Sequence, residues 1–300
     1  MAISQVRVQV NGTWHTMTLS GTANTYTATI TAPGSTSYTK TGGYYDVTVE
    51  ATNTAGTVTT QNASGLAGLK LVVKEKVTPV ITILSPTSGA AVINNKQPVT
   101  FTVTDEAGGS GVNISSLVVK QDSTAVAAST ITSTAITNGY SVTYTPSTAL
   151  SDGSHTVTIT VSDNDGNAAT AKSTTYKVDT VPPTLNITAP ANALVTNAAS
   201  LVVRGTTNDT SSSPVTVKIT LGGADQGSVT VGSDGAFSKT LTLVEGSNTI
   251  VITATDSAGK SSSVTRTVTL DTTKPVIKSA VISPNPVDAG ASMVITVVVQ

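Results

Sequence analysis

One stretch is written three times in this chain, and it constrains the fold more than any single residue does. Residues 45–56 read YDVTVEATNTAG, residues 155–166 read HTVTITVSDNDG, and residues 248–259 read NTIVITATDSAG. In each copy apolar residues alternate with polar ones, the period of a strand that buries one face. Aligned on the turn glycine, the inward columns are Val47/Val157/Ile250, Val49/Ile159/Ile252 and Ala51/Val161/Ala254. A turn such as Asp256-Ser257-Ala258-Gly259 follows, and then Val264, Val268 and Leu270 resume the column with Arg266 as its one charged interruption. Each copy runs into a proline linker, at Pro79, Pro182-Pro183 and Pro275. Repeats roughly 100 residues apart are too long for solenoid units and fit a string of small β-sandwiches.

The segments between the copies agree. Asn11-Gly12 sits between two short strand patterns, a strong signal for a two-residue hairpin. Short β-patterned runs separated by Gly, Pro, Asn and Ser recur every 8 to 12 residues or so, as in an immunoglobulin-like sandwich. The expected fold is all-β: tandem immunoglobulin-like sandwiches in a rod, with an incomplete first domain and a two-strand C-terminal tail. The boundaries fall at 1–78, 79–181, 182–274 and 275–300.

Composition removes several function classes. The charged fraction is 11%, the formal charge is −1, and cysteine is absent. There is no basic footprint for nucleic acid, no disulfide and no thiolate chemistry. No apolar run approaches the length of a membrane span. The start, MAISQVRVQVNGTW, enters a strand pattern at once without a basic and apolar leader, so export by an ordinary signal peptide is not expected.

Three motifs carry a family resemblance: the Asp-x-Asp-Gly-Asn run at 163–167, the VDTVPPT linker at 178–184 with its cousin LDTTKPV at 270–276, and the TDEAGGSGVN loop at 104–113. Through them the chain resembles the bacterial immunoglobulin-like repeats of phage tail proteins and bacterial surface adhesins. The resemblance covers the second and third domains well and the first in part. It implies a non-enzymatic structural or appendage protein of a phage tail or tail-like particle, assembled in the bacterial cytoplasm, whose modules act as spacers and in attachment to a bacterial surface polymer. Its alternatives are a fragment of a secreted, cell-surface adhesin and an accessory binding module of a larger enzyme.

Asp163, Asp165 and Asn167 place oxygen atoms at alternate positions of one turn, and Asp179 precedes the exit linker. Hard cations take such oxygen sets, so calcium is the candidate ion, the other reading being a solvated Asx turn. The resemblance adds that related repeats bind calcium here and stiffen the junction. Asp152, Ser154 and His155 form the one local set with a catalytic look, but the sister copies have Tyr45 and Asn248 where His155 stands. A structural role is therefore expected for His155, and no catalytic residue is assigned. His15, Trp14, Tyr26, Tyr44 and Tyr45 are expected to pack, the alternative for the aromatic group being a glycan or partner surface.

The ends are asymmetric. The second and third domains open with two strands around Ser85-Pro86 or Ala189-Pro190, which the first domain lacks, and residues 276–300 repeat that opening around Ser283-Pro284. Val294, Ile295, Val297, Val298 and Val299 make this tail very apolar. It is expected either to donate strands to a neighbouring subunit, head to tail, or to another particle protein, or else to begin a fourth domain.

Overall fold

The computed structural model describes residues 2–21, 23–209 and 212–300. The chain is all-β, with three single-turn 3-10 segments at Thr41–Gly43, Ala67–Leu69 and Ala128–Thr130. No helix among the described residues is long and apolar enough to cross a membrane. The chain divides into two compact units, Met1–Val178 and Asp179–Gln300.

Within the first unit, the second domain is a sandwich of two sheets. One runs Ala91–Val92, Lys172–Val178, Gly153–Asp163, Val112–Gln121 and Thr124–Ala125; the other runs Ile131–Ile136, Gly139–Tyr144, Val99–Thr104 and Val80–Ser85. Val99, Phe101, Val103 and Val142 from one sheet meet Val119, Val157, Ile159, Val161 and Tyr176 from the other in one buried cluster. The period-two column of the repeated stretch is thus a row of core side chains, each worth roughly 1.5–3 kcal/mol of transfer free energy.

The second unit repeats this plan. One sheet orders Leu194–Thr196, Ser261–Leu270, Gly246–Thr255, Thr216–Leu221 and Ala224–Asp225, and the facing sheet orders Thr184–Ala189, Ser200–Asn208 and Ala236–Thr242. Ile250, Ile252 and Ala254 are fully buried in its core with Val203, Ile219, Leu241 and Val268. Gly205 lets the sheet close tightly here: a Cβ on it would lie 2.5 Å from the Asn186 carbonyl and 2.7 Å from the Phe237 ring. Residues 227–231 take part only in isolated bridges, Val217 with Val229 and Val231 with Phe237.

The first domain has half of this plan. Its four-stranded sheet, Thr13–Thr16, Ile3–Val10, Thr48–Asn53 and Val58–Gln61, matches four of the five strands of the sheet holding the repeated hairpin in the other two domains, without a counterpart of Ala91–Val92 or Leu194–Thr196. Asn11 and Gly12 both take positive φ, the left-handed pair that a tight hairpin requires. Beyond this sheet the described residues form only short pairs, Thr18–Leu19 with Tyr26–Thr27 and Tyr45–Asp46 with Lys70–Leu71, the latter leading into the repeated strand. Val47, Val49 and Ala51 are consequently half-buried, where their counterparts are fully buried.

Residues 276–300 form a hairpin in the second unit. Ile277–Ser283 pairs antiparallel with Val294–Val299, and Val276 and Gln300 exchange backbone hydrogen bonds at the open end. No other strand among the described residues joins it, and every residue from 271 to 300 is exposed.

Candidate functional site

His155 opens the repeated hairpin of the second domain and is buried. Its Nδ1 lies 2.7 Å from Asp122 Oδ2 and its Nε2 2.8 Å from the Ser151 carbonyl oxygen. Burial works to lower the imidazole pKa, but these two partners outweigh it and hold it above the usual 6.5. Asp122 answers: burial works to raise it, and His155 with the Thr156 N–H hold it below 3.8. Ser154, next along the strand, projects to the opposite face. The sister residues do the same corner work, since the Asn248 side-chain amide donates to the Val244 carbonyl at 2.8 Å and the Tyr45 hydroxyl donates to the Ser35 carbonyl at 3.0 Å. Three chemically different side chains thus tie one strand start to the preceding loop.

A polar joint forms within the first unit where the end of the first domain meets the loops of the second. Asp165, in the turn after the repeated strand, accepts a 2.6 Å hydrogen bond from the Tyr38 hydroxyl and a 2.9 Å one from the Glu75 N–H, with Lys74 Nζ 3.6 Å away. Burial works against its charge, but these donors hold the carboxyl below the usual range. Accepting from Tyr38 also pushes that phenol up to about 12, with burial adding to the rise. The Asn167 side-chain amide donates to the Glu75 carbonyl at 3.3 Å, and the Ser110 N–H donates to Glu75 Oε1.

This joint encloses a carboxylate cluster. One oxygen each from Glu75, Asp105 and Glu106 lies within 4.8 Å of the others. Glu75 and Asp105 are each 7% exposed, and Glu75 Oε2 and Asp105 Oδ1 accept no hydrogen bond. Burial pushes the Asp105 carboxyl up despite the Gly111 N–H, and Glu75, Asp163 and Asp165 push the same way. Buried, unpaired carboxylate oxygens cost several kcal/mol, of order 2–7 for a polar group without a partner. A hard cation with oxygen ligands at about 2.4 Å would span this set.

The second unit carries a counterpart. Asp179, Asp209 and Asp256, all buried, also bring one oxygen each within 4.8 Å of one another. Glu75 and Asp179 stand in successive linkers, and Asp105 and Asp209 directly follow the strands Val99–Thr104 and Ser200–Asn208, at the same separation in sequence. Asp256 is the turn acid equivalent to Asp163. Both use Oδ1 to accept backbone N–H groups of their own turn, from Asn167 in one case and from Ala258 and Lys260 in the other. Asp163 Oδ2 also accepts the Asn167 amide at 2.7 Å, whereas Asp256 Oδ2 accepts nothing.

The four residues expected to hold calcium are therefore placed as follows. Asp163, Asp165 and Asn167 share one turn, and their polar groups are engaged within the first unit. Asp179 belongs to the second unit, with Asp209 and Asp256. Sequence reasoning missed Glu75, Asp105, Glu106 and Asp209 as possible ligands. The available signal was an acid recurring in the linker and another directly after the second strand of the opening pair, with equal spacing between domains.

Trp14 packs under the Arg7 guanidinium at 4.3 Å, and Arg7 also pairs with Glu50 at 2.6 Å. Lys40 lies over the Tyr45 ring and Lys70 over the Tyr44 ring, at 5.0 and 4.9 Å.

Comparison with known proteins follows the same division. Residues 85–180 match the bacterial Ig-like domain family, and residues 183–272 match domain B of glucodextranase. No curated protein gives a sequence match. Similar solved structures include the fibronectin(III)-like modules of Clostridium thermocellum CbhA, 19% identical, covering 64% of this chain and 94% of that one with a TM-score of 0.42. A multidomain titin fragment is 12% identical and covers 88% of this chain and 86% of its own, with a TM-score of 0.43. The Bacteroides ovatus SGBP-B of a mixed-linkage glucan utilization locus, in complex with a mixed-linkage heptasaccharide, is 16% identical over 95% of this chain and 69% of its own, with a TM-score of 0.20. With two core-bearing sandwiches of shared strand order, the chain carries tandem immunoglobulin-like β-sandwiches, and its residues 85–180 match the bacterial Ig-like domain family.

Proposed function

We propose that this chain is a non-catalytic structural array whose immunoglobulin-like modules act as spacers in a phage tail or tail-like particle and present it to a bacterial surface. The observation that carries the structural part is the polar joint, in which Tyr38, Lys74 and Glu75 of the first domain close on Asp165 and Ser110 of the second. Buried side chains here are spent on fixing one module against the next. Calcium completes the joint, held by Glu75, Asp105 and Glu106, and the equivalent set Asp179, Asp209 and Asp256 serves the second unit; the orphaned Glu75 Oε2, Asp105 Oδ1 and Asp256 Oδ2 favour this. The particle assignment rests on the resemblance of the linker and turn motifs to repeats of tail proteins. Its test is fractionation of phage or tail-like particles from a producing culture. The chain should sediment with particles, and recovery in the cell envelope alone would assign it to a surface adhesin.

A second reading has its own observation, the match of residues 183–272 to glucodextranase domain B. It makes the chain an accessory module of a larger carbohydrate-active enzyme. Retention of the chain on immobilised α-glucan, with no particle association, would favour that reading.

A further inference from the structure

We propose that the second domain holds a binding site for one neutral sugar ring, in the cleft lined by Gln121 and Tyr144. This goes beyond the spacer role and depends on neither the particle nor the α-glucan reading, since the cleft lies outside residues 183–272. The first observation is a departure of this domain from its neighbours. Val10, Gln121 and Leu221 stand at one position, the last before the two-residue turns Asn11-Gly12, Asp122-Ser123 and Gly222-Gly223. Val10 is buried, and Leu221 packs against the core of the third domain. Leu71, Tyr176 and Val268 likewise stand at one position, each paired with the first residue of the repeated stretch. Aliphatic side chains build the sandwich at both positions elsewhere, so the fold itself does not call for the Gln121 amide or the Tyr176 hydroxyl.

Both polar groups are buried without a partner. Neither Gln121 Oε1 nor Nε2 makes a hydrogen bond, and the Tyr176 hydroxyl makes none either. Nε2 lies near enough to Asp122 to help hold that carboxyl low, but Asp122 is already engaged by His155 and the Thr156 N–H. Burial pushes the Tyr176 phenol up to about 12, and Tyr144 and Asp122 add to the rise, so these groups gather at one end of the core. A buried amide with no partner destabilises the native state unless something supplies its hydrogen bonds.

The cleft sets the chemistry of what binds. It has a volume of about 280 Å³ and lies where residues 126–130 carry the chain from one sheet to the other, beside the loop that follows Tyr144. Its floor is Gln121, Tyr144, Pro146 and Leu150, all buried or half-buried, and its rim carries the exposed hydroxyl residues Thr124, Ser147 and Thr148. No charged side chain among the described residues lines it, so a carboxylate, phosphate or ammonium ligand would find no counter-charge there. The volume is at the low end for ligand sites, room for one ring rather than a chain. A sugar ring offers hydroxyls that donate to Oε1 and accept from Nε2, and C–H faces that lie against Tyr144 and Leu150.

The experiment uses the full chain and three probes, glucose, galactose and N-acetylglucosamine, each titrated into the millimolar range. Saturation-transfer NMR should show saturable binding of at least one of them. Gln121→Leu installs the residue that the third domain has at this position. It should weaken that binding by about tenfold or more, the effect of one lost hydrogen bond, and raise the melting temperature of the second domain by removing the orphaned amide. Ala127→Trp, on the exposed rim, fills the mouth of the cleft from outside the core and should abolish binding at unchanged stability. This second variant decides should Gln121→Leu fail to fold. Absence of saturable binding by all three sugars would mean that the cleft holds water alone and overturns the proposal. Binding that Gln121→Leu or Ala127→Trp leaves undiminished overturns it as well, because the sugar would then sit elsewhere.

Discussion

At the scale of single residues, one strand start is fixed by Tyr45, His155 or Asn248, and only the second can titrate near neutrality. His155 stands above 6.5 in the folded chain, so its contribution is complete below that value and is lost as pH rises through the folded pKa. Asp122 stands below 3.8, so its contribution is present above that value and is lost as pH falls through its folded pKa. The pair therefore supports the second domain most between roughly pH 4 and 6.5. Because the Asp122 side chain is 45% exposed, solvent screening keeps the effect under about 1 kcal/mol. Denaturant unfolding at about pH 5.5 and 8 should show the second domain less stable at the higher value. His155→Asn, which can donate to the Ser151 carbonyl as Asn248 does to Val244, should abolish that difference and leave the fold intact. A retained pH slope would assign the titration to another group. Asp165→Ala should act differently, since it strips a partner from Tyr38 and from the Glu75 N–H. The expected cost is about 1–3 kcal/mol, read as earlier melting of the first domain alone.

At the scale of elements, the repeated strand was legible because its alternation is enforced by burial on one face: Val157, Ile159 and Val161, and again Ile250, Ile252 and Ala254, lie in the core as their period demands. The Asn11-Gly12 hairpin was legible because few residue pairs tolerate two positive φ values in succession. The strand Ile131–Ile136 was not, since it is an edge strand with mostly exposed side chains and carries no burial pattern. The acid clusters were half legible. Asp163 and Asp165 stand out as a motif, but their oxygens are consumed by Asn167, Tyr38 and the Glu75 N–H, while the orphaned oxygens belong to acids scattered through linker and loop. Calcium should raise the melting temperature of both units by linkage to the native state. Asp105→Asn should remove the rise in the first unit and Asp256→Asn that in the second, each leaving the other response intact. An unchanged response in both variants would exclude these sites.

For the whole molecule, stability is held in separate parcels. The cores of the second and third domains share no residue, and the first domain has only a half-covered sheet. Truncating equivalent positions of the repeated strand should therefore have unequal and local effects. Ile159→Ala and Ile252→Ala each remove fully buried methylenes from a closed core, at a cost of about 2–5 kcal/mol. Each should lower the melting of its own domain and leave the other transition in place, since contacts across separate cores add without coupling. Val49→Ala occupies the same column but is half-buried, so in a single copy it should cost less, on the order of 1 kcal/mol. Differential scanning calorimetry of the three variants checks this: a Val49→Ala penalty that matches that of Ile159→Ala would mean that the first domain owns a closed core of its own.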